Sequence, residues 1–452
     1  MTKYPEYKTG KQATGDVSAF LSAELQLFLQ PLLKWLDQRI DQRLVRTFAQ
    51  TIAVIISFRH RQHGLLLSEL GGYLLSPDRA PAGTKRISNL LRSRRWGYEL
   101  IERFLWQQGE GRVQMLTETK EEALCIWDES VVEKPESLAI EGLCAVRSSK
   151  AVRLKRIKPG YFNPPGGRPI FVPGMNWVSL LVMGFQGAPV VTAMRWWTTR
   201  GKLKSDKRTE EKKLLRECVR RWGRRVLHVW DRGFAGFPWL QEALNWQLRF
   251  VLRWPKRLRL TDLHGRTISA WKITRGKRSK SFRQLWDARR RCWRKTGITY
   301  QIVSHPKHPK ENLWLIVSRP GKGRTPWYLL TSETILSPDD AWRIVLAYAR
   351  RWQVEMSYRY AKSELAMESP RLWFWHTRLK LLLMATLAYA FLLSLLDPFF
   401  EPLCSWLLRF FCHRTGKRHQ DISMPLYRLR SALSRLWLAQ PPPLLSNFVF
   451  LG

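Results

Sequence analysis

The sequence predicts an α/β fold in which a mixed sheet is flanked by helices, with a β-rich insertion and an N-terminal helical domain. Three observations predict it. From about Leu21 to Trp106 apolar residues recur at spacings of three and four, the period of a helix face. From Ala123 the pattern changes to short β-rich runs, ALCIW (123–127), WVSLLVM (177–183), PVVTAM (189–194) and VLHVW (226–230), with the helix-compatible KRTEEKKLLRECVRRW between the third and fourth. After Pro338 a stretch free of Gly and Pro runs from Asp339 to Met367, with Ser337 as N-cap and Pro338 at the first helical position, which predicts one long helix.

In the N-terminal region, punctuation falls at Gly71-Gly72 and in the loop from Pro77 to Gly83. Two short helices and a turn are expected there, the second opening at Thr84 and carrying Lys85, Arg86, Arg92, Arg94 and Arg95. This is a candidate helix-turn-helix over 65–96 for a DNA major groove, and it reads equally as an ordinary bundle with a basic face. Residues 249–295 carry 17 lysines and arginines against Asp262 and Asp287, interleaved with Trp254, Trp271, Trp286 and Trp293. Strand-like runs follow at ITYQIVS (298–304), LWLIVS (313–318) and WYLLTS (327–332). Basic charge mixed with indoles suits unpaired or distorted DNA, although each tryptophan taken singly reads as core. The expected divisions are a helical domain over 1–115 that carries the candidate DNA-binding helices, an α/β core over 120–254 and 327–400, a basic β-rich insertion over 255–326 and a C-terminal helical tail over 401–452.

Lysine and arginine total 77 against 36 aspartates and glutamates, a formal net charge of +41 spread over most of the chain. A polyanionic partner offsets such self-repulsion, and its binding should weaken steeply with salt. Six scattered cysteines without a C-x-x-C pair read as free thiols of a reducing compartment. His60 with His63, and His305 with His308, lack cysteine partners for a structural zinc. The N-terminus lacks the apolar core of a secretory signal. The most apolar run, 381–396, is 16 residues against the roughly 20 of a membrane span, so a buried core helix is expected and no membrane.

Asp128 in CIWDES and Asp231 in HVWDRG each follow an apolar strand, where a rigid sheet would fix a carboxylate as a metal ligand. A turn or capping role explains either one alone. On the long helix, Tyr348, Arg351, Glu355 and Lys362 fall within an arc of roughly 60° at about 100° per residue, over about 21 Å. Such a stripe is a salt-bridged solvent face unless a phosphate backbone runs along it. Asp339 and Asp340 belong to the first helical turn, where the dipole explains acids, and Glu364 lies on the opposite side from Glu355.

The run Tyr348-x-x-Arg351-x-x-x-Glu355-x-x-x-x-x-x-Lys362 resembles, spacing for spacing, the Y-(2)-R-(3)-E-(6)-K motif of DDE insertion-sequence transposases, and WDRG resembles their second-aspartate block. The resemblance covers about residues 120–370. It implies an RNase H-like core, with the first aspartate on the first strand, the second just after the fourth and the glutamate on a later helix. It also implies a β-rich insertion, for which the 123 residues from Arg232 to Val354 leave room.

The implied activity is cleavage and strand transfer of DNA. Asp128, Asp231 and Glu355 would hold two Mg²⁺ ions, with Mn²⁺ substituting, about 3.5–4 Å apart in the manner of two-metal phosphoryl transfer. Tyr348, Arg351, Lys362 and Arg359, with Lys85 and Arg86 of the N-terminal region, would contact double-stranded DNA, both transposon ends and target. A homodimer in a synaptic complex and a prokaryotic cytoplasmic location are further implications. Two rival classes share these residues: a stand-alone metal-dependent nuclease, which cuts without joining, and a non-catalytic DNA-binding protein derived from a transposase.

Overall fold

The computed structural model describes residues 11–137, 139–148, 170–287, 292–321, 325–412 and 426–442. Five helices come first: α1 (Lys11–Asp37), α2 (Gln42–Ser57), α3 (Leu67–Leu74), α4 (Ala80–Arg92) and α5 (Glu99–Glu118). Asp41 starts α2 by accepting a hydrogen bond from the Leu44 N–H at 3.1 Å, and Val45, Phe48, Ile52 and Ile55 form its buried stripe. Gly71 and Gly72, expected as punctuation, lie inside α3, and α4 opens at Ala80 rather than Thr84. Packing is the reason. A Cβ on Gly83 would stand 2.2 Å from the Gly71 carbonyl oxygen, so the two helices touch backbone to backbone. Lys85, Arg86 and Arg92 lie on the exposed side of α4.

The sheet begins with β1 (Ala123–Glu133), β2 (Cys144–Arg147), β3 (Phe171–Met183) and β4 (Val190–Trp197). It continues through α6 (Lys207–Trp222), β5 (Val226–Trp230), α7 (Phe237–Asn245) and β6 (Arg249–Arg253). The insertion holds β7 (Arg259–Thr261), β8 (Thr267–Ser269), α8 (Ala270–Thr274), β9 (Ser281–Asp287), β10 (Cys292–His305) and β11 (His308–Arg319), and β12 (Trp327–Thr331) returns to the core. Among the described residues these strands make a 12-stranded sheet in the order β2-β3-β1-β5-β6-β12-β11-β10-β7-β8, with β4 on β3 and β9 on β10. β1, β3 and β4 run antiparallel, whereas β1, β5 and β6 run parallel, which makes the sheet mixed as expected. The insertion's strands extend the core sheet through β12, because β12 pairs with β6 on one side and β11 on the other.

Register decides which side chains share a face. Asp128 is opposite Ser179, and Ser179 is opposite Met194, so all three point to one side of the sheet; Glu129, Val178 and Arg195 point to the other. The first face is covered by α10 (Trp352–Ser363) and α11 (Trp375–Ser394), and the second by α6.

The single helix expected over 339–367 is two, α9 (Pro338–Ala349) and α10. At the join the backbone hydrogen bonds tighten to i−3, from Arg351 to Tyr348 and from Val354 to Arg351. The two residues at the join reach different partners: Arg350 donates to the Gly187 carbonyl at 2.6 Å, and Arg351 to Asp128. No Gly or Pro marks this break.

α11 is 20 residues long, four more than the apolar run suggested, and is long and apolar enough to cross a membrane by composition. In this fold 89% of its apolar window is buried against protein, so it is the core helix that was expected. Two helices close the described chain, α12 (Glu401–Phe411) and α13 (Leu426–Ala439). None of the six cysteines is bridged.

Candidate active site

β1 continues to Glu133, so Asp128 sits mid-strand rather than at a strand end, held by the pairing of residues 128–133 with β3. Its parallel pairing with β5 stops at Ile126 opposite Val229. Beyond that point the two strands part. Asp128 lies on one lip of this opening and Asp231, the residue after β5, follows the other. Asp231 caps the short turn 232–234, its Oδ1 accepting the Gly233 N–H at 2.5 Å.

Glu355 reaches the same place from the first turn of α10. The link is Arg351, whose guanidinium donates to Asp128 Oδ2 at 3.1 Å and also to Glu355 Oε1. Burial pushes the Asp128 carboxyl up to about 7; Arg351 opposes this, while Asp231 and Glu355 add repulsion. Burial likewise works against the Arg351 charge, but Tyr348, Asp128 and Glu355 hold its pKa above the ordinary value. Three carboxylates from distant segments therefore share one electrostatic neighbourhood around one cation. Among the described residues no three His, Cys, Asp or Glu side chains stand ready-made around a metal. The donor chemistry nonetheless suits a hard divalent ion, with Arg351 now between two of the oxygens such an ion would take.

Tyr348 does not share the outer face with Arg351. It is 3% exposed, its ring lies edge-on to Trp327 at 5.1 Å, and its hydroxyl is enclosed beside Arg253. The helix break accounts for this, because Tyr348 belongs to α9 and Arg351 to the join. As placed here, Tyr348 backs the Arg351 guanidinium, 5.8 Å from its ring, and is closed to phosphate. Lys362 is half-buried near the end of α10 and Arg359 is exposed on the same helix. Lys85 and Arg86 are on α4, outside the carboxylate cluster.

The rival acids are accounted for. Glu364 is ion-paired with Arg59 and Arg61, each at 2.8 Å, on the far side of α10. Asp340 completes a capping box with Ser337, and Asp339 pairs with Arg283 at 2.7 Å.

Two groups escaped the sequence. Tyr358, buried and stacked on Trp177, donates to the Asp128 carbonyl and accepts from Ser179 at 2.7 Å, tying α10 to β1. The signal was its place three residues after Glu355, on the next turn of the helix. Behind Asp128, Lys207 of α6 pairs with Glu129 at 2.5 Å and lies 3.8 Å from Glu211. Burial, with Glu129 adding repulsion, raises the Glu211 pKa. Lys207 and Glu211 are four residues apart on one predicted helix, but no spacing in the sequence joins them to Glu129.

No family model and no curated protein matches the chain. Among solved structures, a piggyBac transposase synaptic complex with hairpin DNA aligns with 98% of this chain and 77% of that one, at 12% identity and a TM-score of 0.38.

Proposed function

We propose that the chain is a DNA transposase of the DDE class, cleaving DNA strands and joining them to a target. The observation that carries this reading is the meeting of Asp128 and Glu355 on one guanidinium, with Asp231 in electrostatic reach, in a chain of net charge +41. The Tyr348, Arg351, Glu355 and Lys362 spacing supports it independently.

Asp128, Asp231 and Glu355 would hold two Mg²⁺ ions, or Mn²⁺ in their place, which when bound activate the attacking oxygen and stabilise the leaving one. Arg351 balances the carboxylates before DNA arrives, and its planar fork is then suited to a phosphate of the cut strand. Lys362 and Arg359 extend that contact along α10. Tyr358 fixes the register of α10 on β1, so that Glu355 meets Asp128. Lys85 and Arg86 on α4 would grip duplex DNA outside the site, and two chains would hold two ends.

The test uses duplexes taken from the DNA flanking the coding segment. Full-length protein with Mg²⁺ should nick them and transfer the 3′-hydroxyl end to a plasmid, and Asp231→Ala should lower both by at least a thousandfold, about 4 kcal/mol of barrier. Wild-type activity in Asp231→Ala would sink the carboxylate site. Cleavage without joining would assign a nuclease instead.

A further inference from the structure

The turn between β3 and β4 draws two arginines together without an acid between them. Arg112 comes from the C-terminal half of α5 and Arg350 from the α9–α10 join, and both reach Gly187. Arg350 donates to the Gly187 carbonyl at 2.6 Å, and a Cβ added at Gly187 would stand 3.2 Å from an Arg112 terminal nitrogen. Among the described residues neither arginine makes an ion pair, and the Nε–H of each is enclosed without a hydrogen bond. The carboxylates near the end of α5 are engaged elsewhere: Glu110 pairs with Arg221 at 3.2 Å, Glu118 accepts from Gln114 at 2.8 Å, and Glu122 is held by Arg249 and Arg343. Glu121 lies beside Gly184 and pairs with neither arginine. Burial, and after it the Arg112 charge, push the Arg350 guanidinium below its ordinary pKa, with no carboxylate opposing. Other half-buried arginines of this fold are answered by acids, Arg249 by Glu122 and Glu333, Arg351 by Asp128 and Glu355. Like charges brought together in this way repel unless an anion stands between them.

We propose that Arg112 and Arg350 form a binding site for one phosphate group, seated over the turn at Gly187. Two guanidiniums from different elements offer planar N–H forks to a single oxyanion, and a phosphate has oxygens enough for both to make charge-assisted bonds. Gly187 is exposed and takes a left-handed backbone, φ 77°, and its missing side chain leaves open the space in front of Arg112. Arg350 is also the chain neighbour of Arg351, and the two point to different partners, Gly187 and Asp128. An anion held on Arg350 therefore steadies the join from which Arg351 springs. The site uses no carboxylate of the Asp128 cluster, so it does not depend on what those carboxylates do.

The phosphate can be a diester of a DNA strand or the free ion, and two measurements on the full chain separate these. In the first, melting temperatures are compared in sodium phosphate and in sodium chloride of equal ionic strength. Wild type should gain about 1–2 °C more from phosphate than Arg112→Gln, a variant that leaves the Arg350–Gly187 bond in place. In the second, a duplex of arbitrary sequence is titrated at salt concentrations from about 50 to 200 mM. Arg112→Gln and Arg350→Gln should each bind it severalfold more weakly, and each should reduce the slope of log K against log salt by about 1. Because the two arginines share one phosphate, the double variant should also lose about 1 rather than 2. A difference in the first arm alone assigns the free ion, and one in the second assigns a strand phosphate. No difference in either arm for Arg112→Gln, shown to be folded by circular dichroism, overturns the proposal, as does a slope lowered by about 2 in the double variant, the mark of two separate surface contacts. Neither arm reads cleavage, so failure here leaves the carboxylate site standing, and an inactive carboxylate site leaves this one standing.

Discussion

The two ends of α10 are each fastened by an arginine, and they are fastened differently. At the N-terminal end Arg351 bridges two carboxylates at the mouth of the sheet, partly open to solvent. At the other end Arg430 of α13 is 1% exposed and donates to backbone carbonyls, those of Ile55, Ile56 and Phe58 at the end of α2 and of Glu364 at the end of α10. Helix C-termini leave carbonyls unsatisfied and carry partial negative charge, so a buried guanidinium there completes bonds that nothing else supplies. Its own charge is disfavoured by burial, which lowers the pKa below that of a free arginine while Tyr360 and Glu364 oppose the effect. One end is therefore a permanent joint. The other is a charge balance in which a different cation can stand.

The comparison breaks most readily at Arg430. Arg430→Met keeps the bulk and leaves several buried carbonyls unpaired, at about 1–3 kcal/mol for each group, so a loss of about 4 kcal/mol is expected in urea unfolding. A loss under 1 kcal/mol would mean that the joint is ornamental.

Arg351→Gln should behave in the opposite sense. It costs less stability in metal-free buffer, about 1–2 kcal/mol, because the Asp128 carboxyl can take up a proton instead. Mg²⁺ should then raise its melting temperature by several degrees more than that of wild type, since the stabilisation a ligand gives grows with the logarithm of its affinity for the folded state. An equal Mg²⁺ response in both proteins would show that Arg351 does not share the carboxylates with metal.

The smallest effect lies at Glu364. Burial works against its charge, but Arg59 and Arg61 hold the carboxyl below the ordinary 4.5. A carboxylate depressed on folding stabilises the fold at pH values above its unfolded pKa, and that contribution fades as pH falls through the folded value. Glu364→Gln should therefore lower the melting point slightly at pH 7 and flatten its decline below about pH 4.5. A slope that matches wild type would remove Glu364 from the acid response.

Much of this was readable from local pattern where local chemistry decides the structure. α6 occupies the span its composition predicts, because Asp206 caps it by accepting from the Thr209 N–H at 3.0 Å and Gly223 ends it at φ 52°. β5 likewise matches its apolar run. The α9–α10 break was invisible, since tertiary partners of Arg350 and Arg351, on Gly187 and on Asp128, draw the join apart. In the same way the two motifs name Asp231, Arg351 and Glu355 by number alone, whereas Tyr348 needed the fold to show which way it points. Arg112 and Arg350 lie 238 residues apart in sequence and meet only at the turn between β3 and β4. Spacing reports on one element at a time, and sites built between elements leave no such trace.

The Arg430 joint also sets an order in time. Its guanidinium enters 66 residues after Glu364, the carbonyl it closes. At about 5–20 residues per second, a ribosome needs roughly 3–13 s to travel that distance. Throughout that interval the nascent α10 already carries Arg351 and Glu355 while its far end stands open, so the carboxylates are present in the growing chain before the helix that presents them has been locked.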